Sequence, residues 1–315
     1  MVFNRDAMTR ISTRKVLSIQ SHVVHGYVGN KAATFPLQYQ GWDVDALNTV
    51  QFSNHPGYGH FTGFRYDAGH LCEILEQGLA KSLEIQYDAV LMGYLPGVES
   101  LRKIGEAVGE MSARDPDLKW VLDPVLGDNG KLYVSGENVD AYKQILRHNK
   151  IHLVTPNQFE METLTGVKIQ DLESLKSSIE QFQKLYPRVN KIVVTSLELK
   201  NGYICACCDG GKIQYASVPR INAHFSGTGD LFSALLLNAL VPPAGQTPPT
   251  LAQALLLVIS LVDLILRRTL ELSLSKDDVL PVTINDLKLI QCRDLLVGKH
   301  QNKELDAQIR LVDLN

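Results

Sequence analysis

Short apolar runs alternate along the chain with segments whose apolar residues recur every three to four positions. Five runs stand out: Val16 to Ile19, Ala89 to Met92, Trp120 to Leu122, Ile151 to Val154 and Ile192 to Thr195. Runs of this length and continuity suit strands buried on both faces of a largely parallel sheet. The segments Ala68 to Leu83, Leu101 to Met111, Val139 to His148 and Leu172 to Leu185 carry helical spacing and predict the covering layers. The rhythm therefore predicts an α/β fold of three layers, α/β/α, with a mostly parallel central sheet.

Two stretches depart from it. Trp42 to Thr62 alternates weakly and is rich in Asn, His, Pro and Gly, which predicts a pair of strands or a small flap. Tyr203 to Val218 predicts an antiparallel hairpin closing one sheet edge. From Gly227 onward the pattern is again helical, interrupted by the loop Pro242 to Pro249. With no repeat, low-complexity segment or linker, the expectation is one domain over 14–315, preceded by a loose tail over 1–13.

Composition narrows the function. The 315 residues are 45% hydrophobic and 21% charged, and the net charge of -3 supplies no general attraction to nucleic acid or an anionic membrane. Residues 1–13 lack the apolar stretch of a secretory signal. The longest apolar segment, Leu251 to Leu266, is broken by Gln253, Ser260 and Asp263 and is too short and polar to span a bilayer. A cytoplasmic address and small-molecule partners are expected. Three of the five cysteines crowd into Cys205-Ala-Cys207-Cys208, between the turn signals Asn201-Gly202 and Asp209-Gly210-Gly211. A zinc site would need further ligands at suitable spacing; none is present, so a buried strand is expected.

Ligands of open parallel sheets lie beyond the carboxyl ends of the strands. Ser21, Asp123, Thr155, Asn157, Thr195 and Ser196 all follow predicted strands, which places them on one rim. In Phe225-Ser-Gly-Thr-Gly-Asp-Leu-Phe, glycines precede Asp230 at the mouth of an apolar helix. Free N–H groups there can hold a phosphate, and Asp230 can accept a proton from a hydroxyl beside it. Thr228 and Asp230 are equally ordinary N-cap residues, so the motif alone leaves both readings open. Asp123-Pro-Val-Leu-Gly-Asp128 and Thr155-Pro-Asn-Gln-Phe-Glu160 spread carboxylates over two loops, a donor set for a hard cation. Solvated turn aspartates and a Glu favouring a helix N-terminus are the alternatives. Ser21 to Asn30 opens a helix after the first strand, but its glycines do not form a dinucleotide fingerprint.

Seven segments in order resemble the pyridoxal kinase family of the ribokinase-like superfamily. They are Val16-Leu-Ser-Ile-Gln-Ser-His, Gly26-Tyr-Val-Gly-Asn, Ala32-Ala-Thr-Phe-Pro-Leu-Gln, Val50-Gln-Phe-Ser-Asn-His, Asp123-Pro-Val-Leu-Gly-Asp, Thr155-Pro-Asn-Gln-Phe-Glu and Gly227-Thr-Gly-Asp-Leu-Phe. The resemblance implies a homodimer that transfers phosphate from ATP to the 5′-hydroxymethyl group of pyridoxal, pyridoxine or pyridoxamine. It implies a divalent metal, Mg2+ or Zn2+, and a monovalent cation, K+ or Na+. By matched motif, Asp230 is the base, and Gly227, Thr228 and Gly229 form the anion hole. Ser21 and Tyr94 contact the pyridine ring. Asp123 and Thr155 lie near the monovalent cation, and Asp128 and Glu160 near the divalent metal. Asn157, Thr195 and Ser196 lie near the ATP phosphates, while Ile221, Phe225 and Leu266 wall the adenine. Pro56 stands where relatives can carry a substrate-bonding threonine, and His25 and Ser226 also differ from some members. A hydroxymethylpyrimidine kinase and a non-catalytic binding protein are the competing readings.

Overall fold

The computed structural model describes residues 13–200, 202–275, 280, 282–297 and 309–314. Of the tail expected over 1–13, all but Thr13 lies outside the described residues. The chain opens with β1 (Arg14–Val23), α1 (Asn30–Tyr39), β2 (Trp42–Phe52) and β3 (Gly63–Arg65). A helix follows in two parts, α2 (Ala68–Cys72) and a wider π-helical continuation (Glu73–Ser82). Next come β4 (Ala89–Met92), α3 (Val98–Arg114), β5 (Lys119–Leu122), β6 (Gly127–Asp128), β7 (Lys131–Leu132) and α4 (Gly136–His148). The second half comprises β8 (Ile151–Val154), α5 (Gln158–Thr165), α6 (Leu172–Leu185), β9 (Val189–Leu199), β10 (Gly202–Asp209) and β11 (Lys212–Val218). It ends with β12 (Ala223–Phe225), α7 (Thr228–Leu240), α8 (Leu251–Ser273), β13 (Val282–Ile284), α9 (Arg293–Val297) and β14 (Leu311–Asp313).

Ten strands form one sheet in the order β14-β11-β10-β9-β8-β5-β4-β1-β2-β3. The run from β9 to β2 is parallel, and antiparallel strands finish both ends. Side chains of each central strand feed two separate cores. Leu17, Val90, Trp120, Val154 and Val194 pack under α2 to α6, whereas Val16, Leu91, Val121, Leu153 and Val193 pack under α1, α7, α8 and α9. Both faces being dry explains why the strands read as continuous apolar runs. Cys205 and Cys207 belong to one core and Cys208 to the other, the alternation of a strand; all three are free thiols.

The observed elements adjust three expectations. The helix over Ala68 to Leu83 widens at Glu73, and the Leu83 N–H reaches back to Gly78, five residues earlier. Leu71, Leu75 and Leu79 recur every fourth residue, a spacing that both a 3.6-residue turn and a wider one keep near the buried face. Within Trp42 to Thr62, the first half is not a flap: β2 is a full parallel strand beside β1, with Trp42, Leu47, Val50 and Phe52 buried. Only residues 53–62 project as a loop. The hairpin β10-β11 does not close the sheet, because β14 pairs outside it. The chain leaves β1 for β2 on one side and β4 lies on the other, so a crevice opens at the carboxyl ends of β1 and β4.

Candidate active site

Helix α7 begins at that crevice. Its N-cap, Gly227, has φ +81, and a Cβ there would stand 2.0 Å from the Tyr27 carbonyl oxygen, so the turn requires glycine on both counts. The Thr228 hydroxyl is buried without a hydrogen-bond partner among the described residues. Asp230 lies in the first turn, where the helix dipole favours negative charge. Its carboxyl keeps part of its surface open yet is densely surrounded by protein. Burial pushes its pKa up to about 6, against a hydrogen bond from the Gly29 N–H that favours the ionised form.

A second acid stands behind it. Asp123, after β5, is buried and accepts a hydrogen bond from Ser233 at 3.3 Å. Ser233 in turn lies 3.0 Å from the Thr155 hydroxyl at the end of β8. Burial first, then the charge of Asp230, lift Asp123 to about 8, while the Ser233 hydroxyl opposes the shift. An Asp123 oxygen would lie 3.7 Å from a Cβ on Gly229, which joins the Asp123 loop to the glycine turn. These contacts bring Asp123, Thr155 and the Gly227 to Asp230 turn into one site.

Glu160 and Asn157 form a different device. Asn157 caps α5 and accepts the Glu160 N–H at 2.9 Å, while Glu160 accepts the Asn157 N–H at 2.8 Å, a reciprocal capping box. The other Glu160 oxygen accepts from Leu126 N–H at 2.9 Å and Gly127 N–H at 3.5 Å, so the buried carboxylate ties the β5 loop to α5. Burial, then Asp123, push its pKa upward, and the three N–H groups oppose them. Asp128 is occupied locally, accepting from the Asn129 backbone at 2.8 Å and side chain at 3.1 Å. Among the described residues, no group of three or more His, Cys, Asp or Glu is arranged to hold a metal ion.

Of the remaining predicted residues, Ser21, Tyr94, Thr195 and Ser196 lie toward the carboxyl ends of parallel strands. Thr195 bridges to Asn157 through backbone pairing, and Ser196 takes φ +53, a strained conformation for a side-chain-bearing residue, where β9 and β10 slip register. Ser21 ends the buried part of β1, and Tyr94 follows β4 across the crevice, packed with Val23, Val50 and Phe52. Burial raises the Tyr94 pKa, and Arg65 opposes it by charge and hydrogen bond. Phe225 and Leu266 pack at the edge of the α7-α8 core, while Ile221 lies in the turn before β12 with its carbonyl bonded by Ala223 N–H at 2.8 Å. Ser233 and Gly29 were not anticipated. A serine in an otherwise apolar helix three residues after Asp230 was a legible signal; the Gly29 N–H could be found only from the fold.

With this geometry in place, likenesses to known proteins gain meaning. A model described as phosphomethylpyrimidine kinase matches residues 72–253. The Saccharomyces cerevisiae protein BUD17 is 53% identical over 295 residues, covering 90% of this chain and 93% of that one. Pyridoxal kinase of Arabidopsis thaliana is 40% identical over 267 residues, covering 82% and 83%. The chain belongs to the pyridoxal kinase family. Pyridoxal kinase from Leishmania donovani in complex with ADP and pyridoxine superposes with TM-score 0.81 at 32% identity, covering 96% of this chain and 99% of that one. The three-layer scaffold is thus a ribokinase-like pyridoxal kinase scaffold.

Proposed function

We propose that the protein transfers the terminal phosphoryl group of ATP to the 5′-hydroxymethyl group of pyridoxal, and also of pyridoxine and pyridoxamine. The observation that carries this reading is the turn at α7: free backbone N–H groups, the unpartnered Thr228 hydroxyl and Asp230 in one helical turn. Gly227, Thr228 and Gly229 would hold the phosphoryl oxygens as charge develops on them. Asp230 would take the proton from the acceptor hydroxyl, and a pKa near 6 leaves it ionised at neutral pH yet basic enough to help. Ser21 and Tyr94, across the crevice, would hold the ring. Asn157, Thr195 and Ser196 would meet the ATP phosphates, with Ile221, Phe225 and Leu266 beside the base.

The donor chemistry fits a monovalent cation. Asp123, Thr155 and Ser233 offer oxygens only, and a bound K+ or Na+ would favour the ionised form of the Asp123 carboxyl that burial otherwise disfavours. A divalent ion, Mg2+ or Zn2+, fits less directly. Glu160 has both oxygens engaged by backbone and Asp128 by Asn129, so such an ion would reach them through its own waters. When bound, these ions supply charge neutralisation on the transferring phosphates.

A second reading, hydroxymethylpyrimidine phosphorylation, is favoured by the description of the matching family model. Side-by-side turnover of pyridoxal, pyridoxine, pyridoxamine and hydroxymethylpyrimidine with ATP decides between them: B6 vitamers should react fastest, and turnover of the pyrimidine alone would reverse the assignment. We also propose a cytoplasmic homodimer. No helix among the described residues is long and apolar enough to cross a membrane. Exposed Val24 and Phe64 lie on or beside the β2-β3 edge of the sheet, and a second copy would cover them. Sedimentation at twice the 35.0 kDa chain mass is the expected result, and a monomer would contradict it.

A further inference from the structure

Three segments converge on the turn that carries Asp230, and a carboxylate with no part in the chemistry above joins them. Strand β13 runs beside β12, Ile284 opposite Phe225, and the Ser226 N–H bonds the Ile284 carbonyl at 3.2 Å just before the turn. Asn285 and Asp286 continue from β13 and reach the loop over 53–62. The His55 Nδ1 accepts the Gly57 N–H at 3.1 Å, which leaves Nε2 to donate to the Asn285 carbonyl at 2.9 Å. The Tyr58 hydroxyl donates to Asp286 Oδ2. The same oxygen lies 3.5 Å from Nε2 of His25, in the loop after β1. Gly26 in that loop, at φ +93, packs so closely that a Cβ would stand 2.2 Å from Asp286 Oδ1. One and three residues further on are the backbone groups that touch the site, the Tyr27 carbonyl against Gly227 and the Gly29 N–H on Asp230.

We propose that Asp286 is a positioning residue for the acceptor substrate: a clasp that, with Tyr58, holds loop 53–62 closed beside Asp230. It would not touch the reacting atoms. Two observations separate a clasp from ordinary structural bonding. Residues Pro56 to His60 are exposed, so the loop has little apolar burial to hold it and its polar ties set its position. Oδ1 of Asp286 and Oδ1 of Asn285 are buried with no hydrogen-bond partner among the described residues, a poor arrangement for stability alone. Polar ties that can break and re-form suit a loop that must admit a substrate and then retain it.

The proposal rests on the kinase reading, and its test separates the two. Tyr58→Phe and Asp286→Ala, singly and together, are compared with wild type by steady-state kinetics and by hydrogen exchange of the Gly57, Gly59 and Thr62 amides. Each single change should raise the pyridoxal KM by about tenfold, with the ATP KM within about twofold. The double variant should be no worse than the weaker single variant, because both remove one interaction. Asp286→Asn, which still accepts the Tyr58 hydroxyl, should recover most of the loss. Loop amides should exchange faster in both single variants. Equal damage to the pyridoxal and ATP constants, or unchanged loop exchange, would overturn the clasp. Should wild type fail to phosphorylate pyridoxal, the kinase reading alone falls, and the exchange arm still decides whether Asp286 holds the loop.

Discussion

The two sides of the crevice are built on different principles. On the side of Asp123, Thr155, Glu160 and Ser233, every functional oxygen sits at the end of a core strand or on a helix, buried, and held by short contacts to neighbours fixed by the sheet. On the side of loop 53–62, a backbone bond from His25 N–H to the Ser53 carbonyl at 2.8 Å holds the loop's root. The ties further along are single hydrogen bonds from His55 and Tyr58 to a neighbouring segment, and Pro56 to His60 are exposed. The first side stores charge in a rigid frame, as phosphoryl transfer needs groups aimed in advance. The second, under the clasp proposed above, is the side that moves, as a pocket that takes in and releases its acceptor needs. Asp230 lies between them, bonded by the Gly29 N–H at the start of α1 and repelled by Asp123 of the rigid side.

The comparison is broken most severely at Asp230. If this residue is only a helix cap, Asn replaces it well and turnover survives. As the base, Asp230→Asn should lower kcat by on the order of 10² to 10⁴ while the ATP dissociation constant and melting temperature stay near wild type. A folded variant with near wild-type turnover would remove Asp230 from the mechanism. In the wild type, kcat/KM should fall as pH drops below about 6, where Asp230 takes up its proton.

Asp123 tests the rigid side through stability. Its folded pKa, about 8, and that of Asp230, about 6, both lie above the unfolded range near 4. The folded protein therefore binds more protons than the unfolded chain between these values. The stability these groups contribute is fully present below about pH 4 and is lost as pH rises through about 6 and then about 8. Asp123→Asn should flatten the fall in melting temperature between pH 5 and 8 and stabilise the protein at pH 8 by on the order of 2 kcal/mol. With K+ held there as proposed, wild type should turn over faster in K+ than in a bulky organic cation, and the same variant should lose that difference. Retention of the wild-type pH slope would mean that the buried charge resides elsewhere.

Legibility in the sequence divides along the same line. Strands buried on both faces announce themselves as apolar runs, and the carboxyl ends of those runs led to Asp123, Thr155, Asn157 and Thr195 without a structure. Local chemistry at Glu160 was also readable as a helix-terminus residue, and its capping box bears that reading out. Asp286 could not be found this way. It lies more than 225 positions from Tyr58, after a three-residue strand with no periodic signal, and its role exists only because β13 pairs with β12. The same limit hid the widened turn after Cys72, where one apolar spacing serves two helix geometries.

Pro56 gives the smallest expected effect and the sharpest test of the mobile side. It opens the short helical turn Pro56–Tyr58, a first position at which proline's missing N–H leaves no bond unmade. A threonine there could add one hydrogen bond to the acceptor ring, worth about 0.5–1.5 kcal/mol. Losing proline frees the backbone of the open loop and costs about 0.4–1 kcal/mol of order. The two nearly offset, so Pro56→Thr should lower the pyridoxal KM by no more than about fivefold and leave the ATP KM unchanged. The gain requires the loop to be held beside the substrate. In the Asp286→Ala background it should therefore vanish, and an equal gain in both backgrounds would show that residue 56 reaches the acceptor without help from the clasp.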